Sequence, residues 1–152
     1  MSLSWNTPPD LFANVVTDDL DRMYRGFCLT VWNNLVLHSP VMHGTYRANH
    51  NISFGTPDYS YDLSKEKDPQ DSGRMRVALN AIPQGRFPTV YITNAMPQAS
   101  TIEFGGYANP VKYGTWNKQT KQYEIRSIGG FSKQAPSGVY GVSFNAAVQS
   151  YS

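Results

Sequence analysis

Residues 88–106 run Pro88-Thr89-Val90-Tyr91-Ile92-Thr93-Asn94-Ala95-Met96-Pro97-Gln98-Ala99-Ser100-Thr101-Ile102-Glu103-Phe104-Gly105-Gly106. Pro88 to Thr93, rich in β-branched and aromatic residues, predicts a strand. Asn94 to Pro97 predicts a turn, and Gln98 to Phe104 a short helix stopped by Gly105-Gly106. A second punctuated stretch, Gly129-Gly130-Phe131-Ser132-Lys133-Gln134-Ala135-Pro136-Ser137-Gly138, launches a last segment. There Tyr140, Phe144, Ala147 and Tyr151 fall at helical spacing. Pro136 suits a first helical turn and Ser137 can cap it.

Upstream, Thr7-Pro8-Pro9-Asp10 is a helix-start signal. Phe12, Val16, Leu20, Met23, Phe27, Val31 and Leu35 then recur every three or four residues. They predict one face of a long amphipathic helix reaching about His38, with a break possible at Thr17-Asp18-Asp19. Ser39-Pro40 ends it. Thr45 to Phe54 shows alternation at Tyr46, Ala48, His50 and Ile52 and predicts an extended segment. Residues 55–73 are polar and rich in breakers, a long mobile loop of the kind that partners often order. Asp71-Ser72 can cap a short helix, Arg74 to Ile82. Val111 to Trp116 and Gln122 to Ile128 predict a hairpin, an insertion covering 107–128. The expected fold is a single α+β domain over residues 1–152. A long N-terminal helix and a C-terminal helix pack on a small antiparallel sheet of about four strands.

Charged residues make up 16% of the 152 and aromatics 13%, with ten tyrosines. Low charge and many large aromatics suit either a surface covered by partners or a β-rich monomer. Net charge is only +2, which does not announce a nucleic-acid binder. Residues 1–71 carry five Lys/Arg against nine Asp/Glu, and residues 72–152 eight against two. That asymmetry fits head-to-tail packing of subunits, or two unrelated solvated faces. Cys28 is the single cysteine and excludes an internal disulfide. Its setting among Phe27, Leu29 and Val31 predicts a buried, inert thiol. Met1–Pro9 lacks the basic start and apolar core of a secretory signal, and no apolar run is long enough to span a membrane. Synthesis and folding in a cytoplasm are expected.

Candidate chemistry is sparse. His38, His43 and His50 lack metal-ligand spacing, and no metal or other cofactor is expected. Asp58, Asp62, Glu66, Asp68 and Asp71 lack the pattern of a calcium loop and enclose Lys65 and Lys67, as a solvated loop does. No nucleophile elbow, phosphate loop or dinucleotide motif is present. Glu103 stands out in an acid-poor stretch, as an interface salt-bridge partner or a local surface charge. A small hydrolase using Glu103 or the histidines is a third option, although Glu103 has no obvious partner acid or base in sequence. Lys133 to Gly138 reads equally as a partner-binding turn or the start of a helix.

Three blocks carry a family resemblance. Ser39-Pro40-Val41-Met42-His43-Gly44-Thr45-Tyr46-Arg47-Ala48-Asn49 resembles the "T-P-V-D-T-G-x-L-R-A-S" segment of small siphophage tail proteins. These are the tail-completion or neck components of lambdoid and related long-tailed phages. Val90 to Gly105 resembles that family's "I-x-N-x-x-P-Y-A-x-x-I-E-x-G", and Ser132 to Gly138 its "S-x-Q-A-P-x-G". The blocks keep the family order and frame about 100 residues. Met42-His43 replace Asp-Thr, Gln98 stands where Tyr is common, and 107–128 lengthen the gap between the last two blocks.

The resemblance implies a non-enzymatic virion protein that forms a ring, expected to be hexameric, at the head–tail junction. It would complete the tail and join it to the head connector, alongside other neck, connector and tail-tube proteins. DNA would pass through the lumen without sequence-specific binding, and no membrane is involved. Candidate subunit-interface residues are Glu103, Gly105, Tyr113, Trp116, Lys133, Gln134, Pro136 and Gly138. Closed rings need heterologous contacts, to which Arg74, Arg76 and Arg86 would contribute charge. The alternative is a nucleic-acid-binding module that uses the basic second half, with Tyr107, Tyr113, Trp116 and Tyr123 as stacking residues.

Overall fold

The computed structural model describes residues 9–41, 44–66 and 71–152. Thr7 and Pro8 of the helix-start signal, the N-terminal segment read for a secretory signal up to Pro8, Met42, His43, Lys67 and Asp68 lie outside the described residues. The elements in order are α1 (Pro9–His38), α2 (Thr45–Ala48), β1 (Asn51–Phe54), a 3-10 turn (Asp71–Gly73), α3 (Arg74–Asn80), β2 (Val90–Thr93) and α4 (Ala99–Phe104). The hairpin strands β3 (Thr115–Asn117), β4 (Gln122–Glu124), β5 (Ser127–Ile128) and β6 (Phe131–Ser132) follow, and α5 (Tyr140–Ser150) closes the chain. The fold is α+β, with the long N-terminal helix packed on the C-terminal one and small antiparallel sheets beside them.

α1 runs unbroken for 30 residues, about 45 Å. The Thr17 hydroxyl donates back to the Ala13 carbonyl at 2.9 Å, so it serves the helix rather than capping a second one. Asp21 links α1 to the loop before β2, accepting from Arg25 at 2.7 Å and from the Gly85 amide at 3.1 Å. The Arg25 hydrogen bond, helped by Gly85, holds the Asp21 carboxyl below the usual carboxylate range. α1 and α5 approach closely at Gly26, where a Cβ would fall 2.5 Å from the Tyr151 hydroxyl oxygen.

Two expectations are corrected. Thr45–Ala48 is one helical turn, and only Asn51–Phe54 of the expected extended segment is a strand. The alternation there is not that of a strand, since Tyr46, Ala48, Asn49 and His50 are all buried around the turn. In place of one four-stranded sheet, the described residues form three two-stranded ones, β1–β2, β3–β4 and β5–β6. β1 and β2 pair antiparallel with Ile52 opposite Ile92 and Phe54 opposite Val90, and these four side chains pack against the core. The two hairpins contribute nothing to it, because no core residue comes from 103–134.

The core is helical at its centre. Trp32, Leu35, Met75, Leu79, Ile102, Val139 and Ala147 are buried together. Asp71 is also corrected. It does not cap α3, whose N-cap is Gly73. It turns inward beside Arg47 at 3.7 Å and Arg74 at 3.5 Å, while its carbonyl accepts from the Trp32 indole at 2.8 Å. The Arg74 guanidinium lies 4.9 Å from the Trp32 ring centroid, and these polar groups bind α1, α2 and α3 into one body.

Candidate assembly surface

Glu103 ends α4 and reaches across the chain to the start of α5. One carboxylate oxygen accepts from the Val139 and Tyr140 amides at 2.7 and 2.9 Å, and the other from Gly141 at 2.9 Å. α5 has no side-chain cap of its own, so a residue 36 positions away satisfies its orphan N–H groups. The expected cap from Ser137 is absent. Gly138 makes this possible: its φ is +83°, and a Cβ there would fall 2.7 Å from the Glu103 carbonyl oxygen. Gly138→Ala is expected to cost about 2 kcal/mol of stability in urea unfolding, from left-handed backbone strain and displacement of α4 together.

The other conspicuous residues meet nearby. Gly105 ends α4 with φ +83° against the Phe131 ring, while the Gly106 and Tyr107 amides donate to the Gly130 carbonyl at 2.9 and 3.1 Å. The Gln134 side-chain amide grips Val41 at both ends, accepting from its N–H at 2.5 Å and donating to its carbonyl at 3.2 Å. Asn94 donates to the Tyr46 carbonyl at 2.8 Å. The three segments quoted above therefore converge: 39–49 is joined to 90–105 by Asn94 and to 132–138 by Gln134, and 90–105 reaches α5 through Glu103. Lys133 and Pro136 remain exposed at this junction. Tyr113 and Trp116 lie apart, with the β3–β4 hairpin.

Behind the junction sits His50, fully buried. The Ser39 hydroxyl donates to the Leu35 carbonyl at 2.6 Å. It must therefore accept at 2.7 Å from His50 Nε2, which places the ring proton there. His50 Nδ1 then accepts from the Tyr140 hydroxyl at 2.7 Å. Burial, with Arg74 and Arg47 adding, pushes the ring down to about 3. The Tyr140 and Tyr46 hydroxyls are pushed up, mainly by burial. Ser39 and His50 do not form a nucleophile pair, since the hydroxyl proton is committed to a carbonyl and both groups are shielded from solvent. His38 bonds Ser143 Oγ at 3.1 Å. Among the described residues no three His, Cys, Asp or Glu side chains gather as a metal site, and no helix is long and apolar enough to cross a membrane. Cys28 is buried, and burial pushes its thiol up.

The part of the acidic loop before residue 67 is tied to the body. Asn49 bonds both the N–H and the carbonyl of Asp62, at 2.7 and 2.9 Å, and Asn51 donates to the Asp58 and Ser60 carbonyls. Thr93 also donates to the Asp58 carbonyl.

The surface that sequence reasoning missed is on α1. Its apolar stripe is covered by α5 only from Phe27 onward: Phe27 meets the Phe144 and Tyr151 rings edge-on at 5.9 and 5.7 Å, and Asn34 and His38 bond Ser143. Toward the N-terminus no described residue covers the same stripe, with Phe12 48%, Leu20 49% and Met23 57% exposed, and Val16 also open. An open apolar groove of about 440 Å³ between α1, β2 and α5 continues it, lined by Phe27, Cys28, Val31, Val90, Ile92 and Phe144. The periodicity that predicts this face is identical along the helix, so nothing in it distinguishes the covered part from the bare part. No protein-family model, curated protein or solved structure matches the chain.

Proposed function

We propose that this chain is a structural virion protein of a long-tailed phage. It forms a ring at the head–tail junction, expected to be hexameric, that completes the tail and joins it to the head connector. Neck, connector and tail-tube proteins are its neighbours, and DNA passes through its lumen. The chain acts by shape and contact and carries no active site in this reading. The virion assignment is supported by the three ordered blocks of sequence. The observation that carries assembly is the bare stripe of Phe12, Val16, Leu20 and Met23, because contiguous exposed apolar surface of this kind marks an interaction site. Fully covering four such side chains is worth several kcal/mol, at about 25 cal/mol per Å² of apolar area.

Arg76 and Arg86 are exposed and available to an acidic neighbour. Arg74 is withdrawn from that role, since its guanidinium bonds the His50 carbonyl at 2.8 Å and sits on Trp32. Light scattering and negative-stain imaging of the purified chain test the proposal. Rings or ring fragments are expected for the natural sequence. Val16→Asp with Leu20→Asp is expected to yield monomers with an unchanged melting temperature, because neither side chain enters the core. A chain that stays monomeric at high concentration, or that labels virions away from the neck, overturns the reading.

A further inference from the structure

We infer that the β3–β4 hairpin is a binding platform for single-stranded nucleic acid. Trp116 and Tyr123 are cross-strand partners, so both side chains leave the same face of the ribbon. Their rings meet at 5.1 Å and 64°. Such a pair stabilises a hairpin, yet here it stays open to solvent: Trp116 is 48% and Tyr123 68% exposed. Tyr113, just before β3, is 75% exposed, and the Lys112 ammonium lies 5.2 Å from its ring centroid. Lys118 and Lys121, both exposed, sit in the turn that joins the strands.

Aromatic rings interleaved with lysines on one short ribbon present stacking surfaces for bases beside cations for phosphates. The charge selects the partner. Residues 112–126 hold Lys112, Lys118, Lys121 and Arg126 against Glu124 alone, which favours a polyanion over a neutral glycan or an apolar protein face. The exposed rings favour unpaired bases over a duplex, whose bases are already stacked. Neither the ring nor the virion assignment is needed for this site.

Titration of the full chain into fluorescein-labelled (dT)15, (rU)15 and a 15-base-pair duplex, followed by anisotropy at low salt, tests it. Saturable binding of one or both single strands, clearly tighter than binding of the duplex, is expected; the two single-strand arms tell whether DNA or RNA is taken. Trp116→Ala should weaken binding roughly tenfold, and Trp116→Phe much less. Tyr113→Ala lies outside both strands and should also weaken binding while the hairpin stays paired. Lys118→Ala with Lys121→Ala should flatten the slope of log affinity against log salt by about 1.4. Equal affinity for the duplex, no binding at low salt, or full affinity in both Trp116→Ala and Tyr113→Ala overturns the proposal.

Discussion

Glu103→Ala is expected to lower the unfolding free energy by about 3 kcal/mol, measured by urea denaturation at neutral pH. The carboxylate accepts three backbone N–H groups at the start of α5. Hydrogen bonds to a charged acceptor are individually worth about 1.5–3 kcal/mol, and partial exposure of the site reduces the sum. A carboxylate at a helix N-terminus also gains from the helix dipole. Truncation removes the carboxylate oxygen to which the amide of the buried Val139 donates at 2.7 Å. Glu103→Gln keeps an acceptor but loses the charge, so an intermediate loss of about 1–2 kcal/mol is expected. The damage should appear in α5 first, as faster amide exchange over 139–143 and loosening of Phe144 and Tyr151 from Phe27. A surface charge with no internal role would give less than about 0.5 kcal/mol, and that outcome would refute the capping assignment. Loss of ring assembly in Glu103→Gln with stability intact would instead return Glu103 to a subunit contact.

Acidification is expected to destabilise the fold through His50 well before the carboxylates respond. The ring is held neutral by burial and by the Arg74 and Arg47 charges, down to about 3 against 6.5 when unfolded. The unfolded chain therefore binds an extra proton between those values. Stability is complete above about pH 6.5 and falls as pH drops toward 3, by at most about 1.4 kcal/mol per unit. Asp21, Asp58 and Asp62 are held low by hydrogen bonds from Arg25, Ser60 and Ser64 respectively. Their stabilisation is present above their unfolded values, so their loss begins only below about pH 4. Urea unfolding at several pH values between about 4.5 and 7.5 isolates the histidine. His50→Gln is expected to be about 2–4 kcal/mol less stable at neutral pH, because it disrupts the bonds to Ser39 and Tyr140 inside the core. It should also show a flat profile in that window. An equally steep profile in His50→Gln would place the titrating group elsewhere.

Much of the local structure is legible in residues a few positions apart. Pro88–Thr93 contains the strand β2, Gly105 ends α4 where a glycine pair predicts it, and the spacing from Tyr140 to Tyr151 gives α5. Those signals are short-range: propensity, capping and periodicity act within one or two turns of chain. Thr45–Ala48 misleads for the same reason, since apolar residues two positions apart in a single helical turn imitate a strand. Glu103 is conspicuous in the sequence, but its partners are 36 to 38 residues away, so no spacing rule could assign it to the start of α5. His50 likewise looks like an ordinary strand histidine until Ser39 and Tyr140 close around it.

The sequence by itself determines a mixed fold with a long first helix and a C-terminal helix, a single cysteine set among apolar residues and a chain poor in catalytic motifs. Only the tertiary structure decides that α5 covers the α1 stripe from Phe27 to His38 and leaves Phe12 to Met23 bare. It alone turns Glu103 into a helix cap and leaves Trp116 and Tyr123 on an open ribbon. The physical reason is range: hydrophobic burial is non-directional and carries no label for its partner. An apolar face written in the sequence remains equally ready for its own chain or for a neighbour until the fold has placed α5.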